Sequence, residues 1–251
     1  DINYDNSLAP YFSEYVRRQL IELGDELNIN IYEDGLNIKT TLDYNLQNIL
    51  ETTFNNTLKK NQRIFNNDLL DDKKKLIKLS KEFNIELDSL INILENDTII
   101  IPKKFRSKLL VQGAAIILDS KHGHILSMIG GRNEPEYLDF FNRSTQAKRQ
   151  PGSVFKPFIY LTALENGYSP CKQLLNQPLV FFIDDTTRWN PQNHDGSTGL
   201  LTSLRDGLRK SLNLISVRIV QELVSPKQVR NTALRFGLSK PIKAVDAIAL
   251  G

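Results

Sequence analysis

Between Arg149 and Phe158 the chain has little conformational choice. Pro151-Gly152 calls for a tight turn, Ser153 follows it, and a mostly apolar stretch begins at Phe155. Phe158, Ile159, Leu161, Ala163 and Leu164 then repeat in a way that predicts a buried helix from about Ser153 to Asn166, with Gly167 as its C′ residue. Lys156 stands three residues after Ser153. Positions i and i+3 of a helix share a face, with Cβ atoms about 5–6 Å apart, so local sequence alone brings an alcohol and an amine together. Serine is a weak nucleophile near neutral pH and needs a base within reach, which S-x-x-K supplies. The turn also carries a cost. Pro157 has no N–H to return to the Ser153 carbonyl four residues earlier, so that carbonyl needs another partner.

The same four-residue pattern occurs again as Ser169-Pro170-Cys171-Lys172. Serine followed by proline there predicts a helix N-cap with proline at the first helical position, and no chemistry. Composition narrows the field further. The formal charge of the 251 residues is only +3, and lysines interleave with Asp and Glu, so no nucleic-acid footprint is indicated. A single cysteine, Cys171, excludes an intrachain disulfide. His122, His124 and His194 are expected to be too scattered for a metal site, the first two marking a hairpin turn. No apolar run approaches the roughly 18 residues of a membrane-spanning helix.

Periodicity sets out the order of elements. Residues 1–30 predict an amphipathic helix using Tyr11, Tyr15, Leu20 and Leu23; residues 31–43 read as extended, and 44–60 as helical. The charged stretch from Asp68 to Ile77, with Leu87, Leu90, Ile91 and Leu94, predicts two surface-lying helices with solvated charges. From residue 112 the pattern changes to strands, at Ala114–Asp119 and His124–Ile129, and Arg132–Asp139 reads as a polar loop. Leu179–Ile183 predicts a short strand, and residues 200–223 and 226–237 predict helices, the last ended by Phe236-Gly237-Leu238.

The segment Phe141-Asn142-Arg143-Ser144-Thr145 through Tyr160 resembles the surroundings of the nucleophile in class A (bifunctional) penicillin-binding proteins, where S-x-x-K is a known signature. Other resemblances run in the same order along the chain. Tyr11–Arg17 is similar to the segment after the family's glycosyltransferase domain, and Gly35–Asp43 to the start of its linker. Gln112–Gly131 resembles the strand pair opening its transpeptidase domain, and Trp189–Gly196 a loop between its catalytic motifs. Ser211-Leu212-Asn213 resembles its S-x-N. Residues about 55–111 match nothing in the family.

The resemblance implies an α+β fold, the transpeptidase fold shared by penicillin-binding proteins and β-lactamases (incomplete here), preceded by a mixed α/β linker region. It implies a boundary at 111/112, with residues 1–111 as linker and 112–251 as the N-terminal portion of the transpeptidase domain. It further implies a serine D,D-transpeptidase. Ser153 is the nucleophile, Lys156 the general base, Ser211 a proton relay, and the Ser153 N–H one oxyanion donor. Asn213, Trp189 and Asn193 are implied substrate-binding groups, whereas Arg143 and Arg149 are expected to brace the loop. The implied partners are peptidoglycan stem peptides ending in D-Ala-D-Ala, β-lactams, and a glycosyltransferase domain and membrane anchor lying before Asp1, which would put the site outside the cytoplasmic membrane. No metal, cofactor or nucleic acid is implied. The family's third motif, K-[ST]-G, is absent from these residues, so the chain is expected to be a fragment. A serine β-lactamase, a penicillin-sensing receptor module and a non-catalytic scaffold are the alternatives.

Overall fold

The computed structural model describes residues 9–137, 139, 141–182, 188–238 and 241–251, excepting the Phe182 side chain. The chain divides into two compact units, Asp1–Ala147 and Lys148–Gly251. The α+β class is as expected.

In the first unit, helix α1 (Pro10–Leu27) starts with proline in its first turn, where the missing N–H costs nothing. Its buried side is carried by Tyr11 and Phe12, whereas Leu23, expected on the apolar face, is exposed. An extended segment leads to α2 (Tyr44–Asp71), capped by the Asp43 carboxylate accepting from the Leu46 N–H. Helices α3 (Lys73–Phe83) and α4 (Leu87–Glu95) follow, then a short 3₁₀ turn and α5 (Arg106–Leu109).

The charged stretch predicted to lie on the surface does more than that. Asp72 ends α2 and caps α3 through the Lys75 N–H, splitting the expected Asp68–Ile77 helix in two. Lys73, Lys74 and Lys75 are solvated as expected. Leu69, Leu76, Leu79, Leu90, Leu94, Ile101, Phe105 and Leu109, however, close a core of their own. Spacing of three and four between leucines drives this, because each helix has one apolar stripe to bury.

Strands β1 (Ala115–Leu118) and β2 (Ile125–Ile129) form the expected hairpin, with an irregularity at Ile117/Leu118. The outer edge of β2 is occupied by the segment leading into α2. The Asp43 N–H donates to the Leu126 carbonyl at 2.8 Å, and Thr41 Oγ1 donates to the Ile125 carbonyl at 2.6 Å. Gln47 completes the edge. Its Nε2 donates to the Met128 carbonyl (3.2 Å) and its Oε1 accepts from the Met128 N–H (3.0 Å), so a side-chain amide stands in for a strand.

In the second unit, the 3₁₀ turn Gly152–Phe155 runs into α6 (Lys156–Glu165). Strand β3 (Gln173–Leu175) pairs antiparallel with β6 (Leu201–Ser203), and β4 (Phe181–Phe182) with β5 (Arg188–Trp189). Ile183, the end of the expected strand, lies outside the described residues. Helices α7 (Leu204–Arg209) and α8 (Asn213–Arg218), a π-helical turn at Ile219–Leu223, and α9 (Pro226–Arg235) complete the unit. Ile159, Ala163, Ile215, Val217, Ile219, Val229 and Ala233 are fully buried at its centre. α6 and α9 each end as expected, with Gly167 and Gly237 left-handed at C′.

Two expectations need correction. Residues 200–223 are not one helix: residues 201–203 pair with β3, and the helix stops at Lys210 and restarts at Asn213. Ser169-Pro170 caps no helix. Ser169 Oγ accepts from the Cys171 N–H, and the Ser169 carbonyl from the Lys172 N–H, closing a turn into β3.

Replacing Gln47, which is 1% exposed, by alanine strands the Met128 N–H and carbonyl without their partner. The expected loss is about 2–4 kcal/mol, read by urea denaturation, since each unsatisfied buried group costs about 1–3 kcal/mol. A loss below about 0.5 kcal/mol would show that water replaces the amide freely.

Candidate active site

Lys156, the expected general base, is buried with its amine fully hydrogen-bonded. It is the first residue of α6, only 1% exposed, and its Nζ donates three hydrogen bonds. They go to the Ser211 carbonyl (2.6 Å), Ser211 Oγ (3.0 Å) and Asn213 Oδ1 (2.7 Å). An ammonium group has three donors and no acceptor, and all three are used. Burial pushes the Lys156 pKa below its ordinary value; the three acceptors favour the charged form and pull the other way.

The acceptors are presented by a distorted helix end. α7 closes with the Ser211 N–H bonded to the Leu208 carbonyl and the Leu212 N–H to the Gly207 carbonyl. This is the Schellman arrangement, whose C′ position is left-handed and usually glycine. Here the C′ residue is Ser211, at φ 54°. That backbone turn brings both its carbonyl and its hydroxyl within 3.0 Å of one amine. Gly207 is needed for a different reason: a Cβ there would lie 2.5 Å from Ile215 Cγ2, so α7 and α8 meet at backbone distance.

Asn213 is fixed by a second contact. Its Nδ2 donates to the Gln192 carbonyl at 2.8 Å, which orients Oδ1 toward Lys156. The preceding residue, Leu212, cannot cap α8 with its side chain. Asn193 does so from the loop, its Oδ1 accepting from the Leu214 N–H at 3.0 Å. Asn193 Nδ2 in turn donates to Asn176 Oδ1 (2.7 Å) and the Gly196 carbonyl (2.9 Å). Sequence reasoning missed Asn176, 2% exposed; no strand was expected at 173–175, so nothing local marked it.

Ser153 sits in the 3₁₀ turn, exposed, one turn before Lys156. Gly152, at φ 57°, sets the turn that presents it. The Ser153 carbonyl, which Pro157 cannot serve, accepts instead from the Lys156 N–H, so a 3₁₀ bond resolves the expected cost. Among the described residues no hydrogen bond links Ser153 Oγ to Lys156. The expected meeting of Ser153 and Lys156 side chains is therefore replaced by contact of Lys156 with Ser211 and Asn213.

The remaining expected site residues divide. Asn193 is 7% exposed and serves the loop. Trp189 is half-buried, its ring tilted against Phe181 at 4.9 Å between centroids, packed on the core. Arg143 pairs with Asp139 at 2.6 Å and braces its loop as expected, whereas exposed Arg149, among the described residues, reaches only the neighbouring Lys148 carbonyl.

Comparison with known proteins gives the family. The family model for the penicillin binding protein transpeptidase domain matches residues 113–248, more than half of the chain. The chain belongs to the penicillin-binding protein transpeptidase family. It is similar to penicillin-binding protein 1A of Pseudomonas aeruginosa, 42% identical over 115 residues, covering 45% of this chain and 14% of that one. Penicillin-binding protein 1A of Neisseria flavescens is 39% identical over 146 residues, covering 57% and 18%. The crystal structure of penicillin-binding protein 1A from Haemophilus influenzae superposes with a TM-score of 0.50 at 31% identity, over 57% of this chain and 21% of that one. The chain thus spans less than a fifth of the length of these curated relatives. No described helix is long and apolar enough to cross a membrane.

In this family member the strain at residue 211 is separable from its hydroxyl. Ser211→Gly and Ser211→Ala both delete Oγ, but only glycine adopts the left-handed backbone freely. The alanine variant is expected to be less stable than the glycine variant by about 1 kcal/mol in chemical denaturation. Equal stabilities would mean that position 211 carries no backbone strain.

Proposed function

We propose that this chain carries the nucleophile and base of a serine D,D-transpeptidase that cross-links peptidoglycan stem peptides and is acylated by β-lactams. The observation that carries the reading is the buried Lys156 amine held by Ser211 and Asn213, one turn from Ser153. In this reading the functional division falls at 111/112. Support comes from the family match, which begins at residue 113.

The chemistry follows from acyl transfer. Ser153 Oγ attacks the carbonyl between two terminal D-alanines while Lys156, as neutral amine, takes its proton. The Ser153 N–H lies in the first turn of a helix, where backbone donors lack intrahelical partners, and serves the developing oxyanion. Collapse of the tetrahedral intermediate expels D-alanine, whose amine receives a proton relayed through Ser211 Oγ. An amine of a second stem then attacks the acyl-enzyme and releases Ser153. Asn213 presents both a donor and an acceptor, suited to an amide backbone. The reaction places the site on the outer side of the cytoplasmic membrane, where its substrate lies.

One observation favours a second reading, a non-catalytic scaffold. The Lys156 ammonium satisfies all three donors on Ser211 and Asn213, with none of them going to Ser153 Oγ. Labelling with a fluorescent penicillin separates the two, using this chain and a version extended through a K-[ST]-G strand. Ser153 is expected to be the acylated residue by peptide mass, with labelling efficient in the extended form and abolished by Ser153→Ala. Labelling that survives this substitution would mean another nucleophile. Absence of labelling in both forms would leave the scaffold.

The base role has its own signature. Because burial lowers the Lys156 pKa, the neutral amine gains population as pH rises through a value below the ordinary 10.5. The acylation rate should rise with pH and level off, its inflection below that value. Lys156→Arg, which keeps the charge but cannot release a proton, should abolish the rise. An inflection at or above the ordinary lysine value would remove Lys156 as the base.

A further inference from the structure

The β1–β2 hairpin gathers groups that the linear sequence left apart. The Asp119 N–H bonds to the His124 carbonyl (2.8 Å) and the Gly123 N–H to the Asp119 carbonyl (2.9 Å), closing a tight tip. Gly123, at φ 73°, reverses the chain between two histidines. The Asp119 carboxylate accepts from the Lys121 and His122 N–H groups, each at 3.1 Å, and lies 2.5 Å from His122 Nδ1. The His122 and His124 imidazoles run nearly parallel, 22° apart with centroids at 5.3 Å. One donor atom from each of Asp119, His122 and His124 lies within 4.8 Å of the other two.

We propose that Asp119, His122 and His124 form a surface binding site for a borderline divalent transition ion of the zinc class. The Asp119–His122 contact alone uses one ring nitrogen. Among the described residues, neither His122 Nε2 nor either His124 ring nitrogen has a hydrogen-bond partner. Two imidazoles and a carboxylate suit zinc, nickel or copper, whereas magnesium and calcium require oxygen ligands. A tetrahedral ion with bonds of about 2.0–2.1 Å sets its donors about 3.3 Å apart. Side-chain rotation at the exposed tip closes the present gap without moving the strands. Three protein ligands leave a position open to water or to a donor from another molecule. The site is independent of Ser153 and of the acyl-transfer reading.

Titration of chelator-treated protein with zinc chloride by calorimetry tests it, with histidine NMR spectra recorded alongside. One equivalent should bind, perturbing the ring signals of His122 and His124 but not His194. Each of His122→Ala and His124→Ala should weaken binding at least about tenfold. Both side chains are exposed, so circular dichroism should stay unchanged. Millimolar magnesium should not compete. No binding, undiminished binding in the double variant, perturbation of His194 instead, or displacement by magnesium would each overturn the proposal.

Discussion

The three bonds from the Lys156 ammonium organise the second unit's working face. They join the first residue of α6 to the break between α7 and α8, elements separated by more than fifty residues of sequence. A charge taken out of water at this depth is tolerable only when its donors are all met. Every neighbouring feature can be traced to that requirement. The helix must stop at Lys210 to expose a carbonyl, Ser211 must turn left-handed to aim it, and Asn213 must be held with its oxygen inward. Apolar packing of α6 on Ile215 and its neighbours brings the lysine close, but hydrogen bonding decides which way it points.

The same arrangement sets a balance between two protonation states. Burial disfavours the ammonium and three acceptors favour it. A lysine held wholly by acceptors is a poor base, because release of its proton leaves at least one acceptor unserved. The Ser211 hydroxyl is the component that can change role, since it donates as readily as it accepts. If the lysine loses its proton, Oγ can rotate and donate to the amine, whereas the Ser211 carbonyl and Asn213 Oδ1 cannot. A serine at this strained position is therefore chemically adaptable where a glycine would only be conformationally easier.

Much of this was legible in local sequence, because local rules govern it. Pro151-Gly152 marked the turn, Pro157 marked the carbonyl that needed a new partner, and Gly167 and Gly237 marked helix ends. The hairpin was readable from alternation and its Gly123 turn. What escaped depended on contacts between distant segments. Nothing near Ser211 signals a helix stop, since Gly207 and Leu208 continue a helical pattern; the stop is closed by the Ser211 and Leu212 N–H groups turning back to the Leu208 and Gly207 carbonyls. Lys156 was expected to meet its sequence neighbour Ser153, but acceptors over fifty residues away compete better for three donors. Charges along 68–77 suggested a surface role and concealed leucines that close a separate core.

Strand β5 and the loop that follows it carry two residues implied by the family resemblance for substrate binding, and both also have structural tasks. Trp189 packs on Phe181, and Asn193 is buried within the loop. Asparagine is suited to the buried task because one side chain both accepts from a helix N–H and donates to a carbonyl. Asn193 does both at once, and Asn176 extends the chain of amides to the Thr198 hydroxyl. An aspartate at 193 would keep the acceptor for Leu214 but set a carboxylate against Asn176 Oδ1 and the Gly196 carbonyl. The loop is thus specified by donors as much as by acceptors, and through Gln192 that specification reaches Asn213 and the amine it holds.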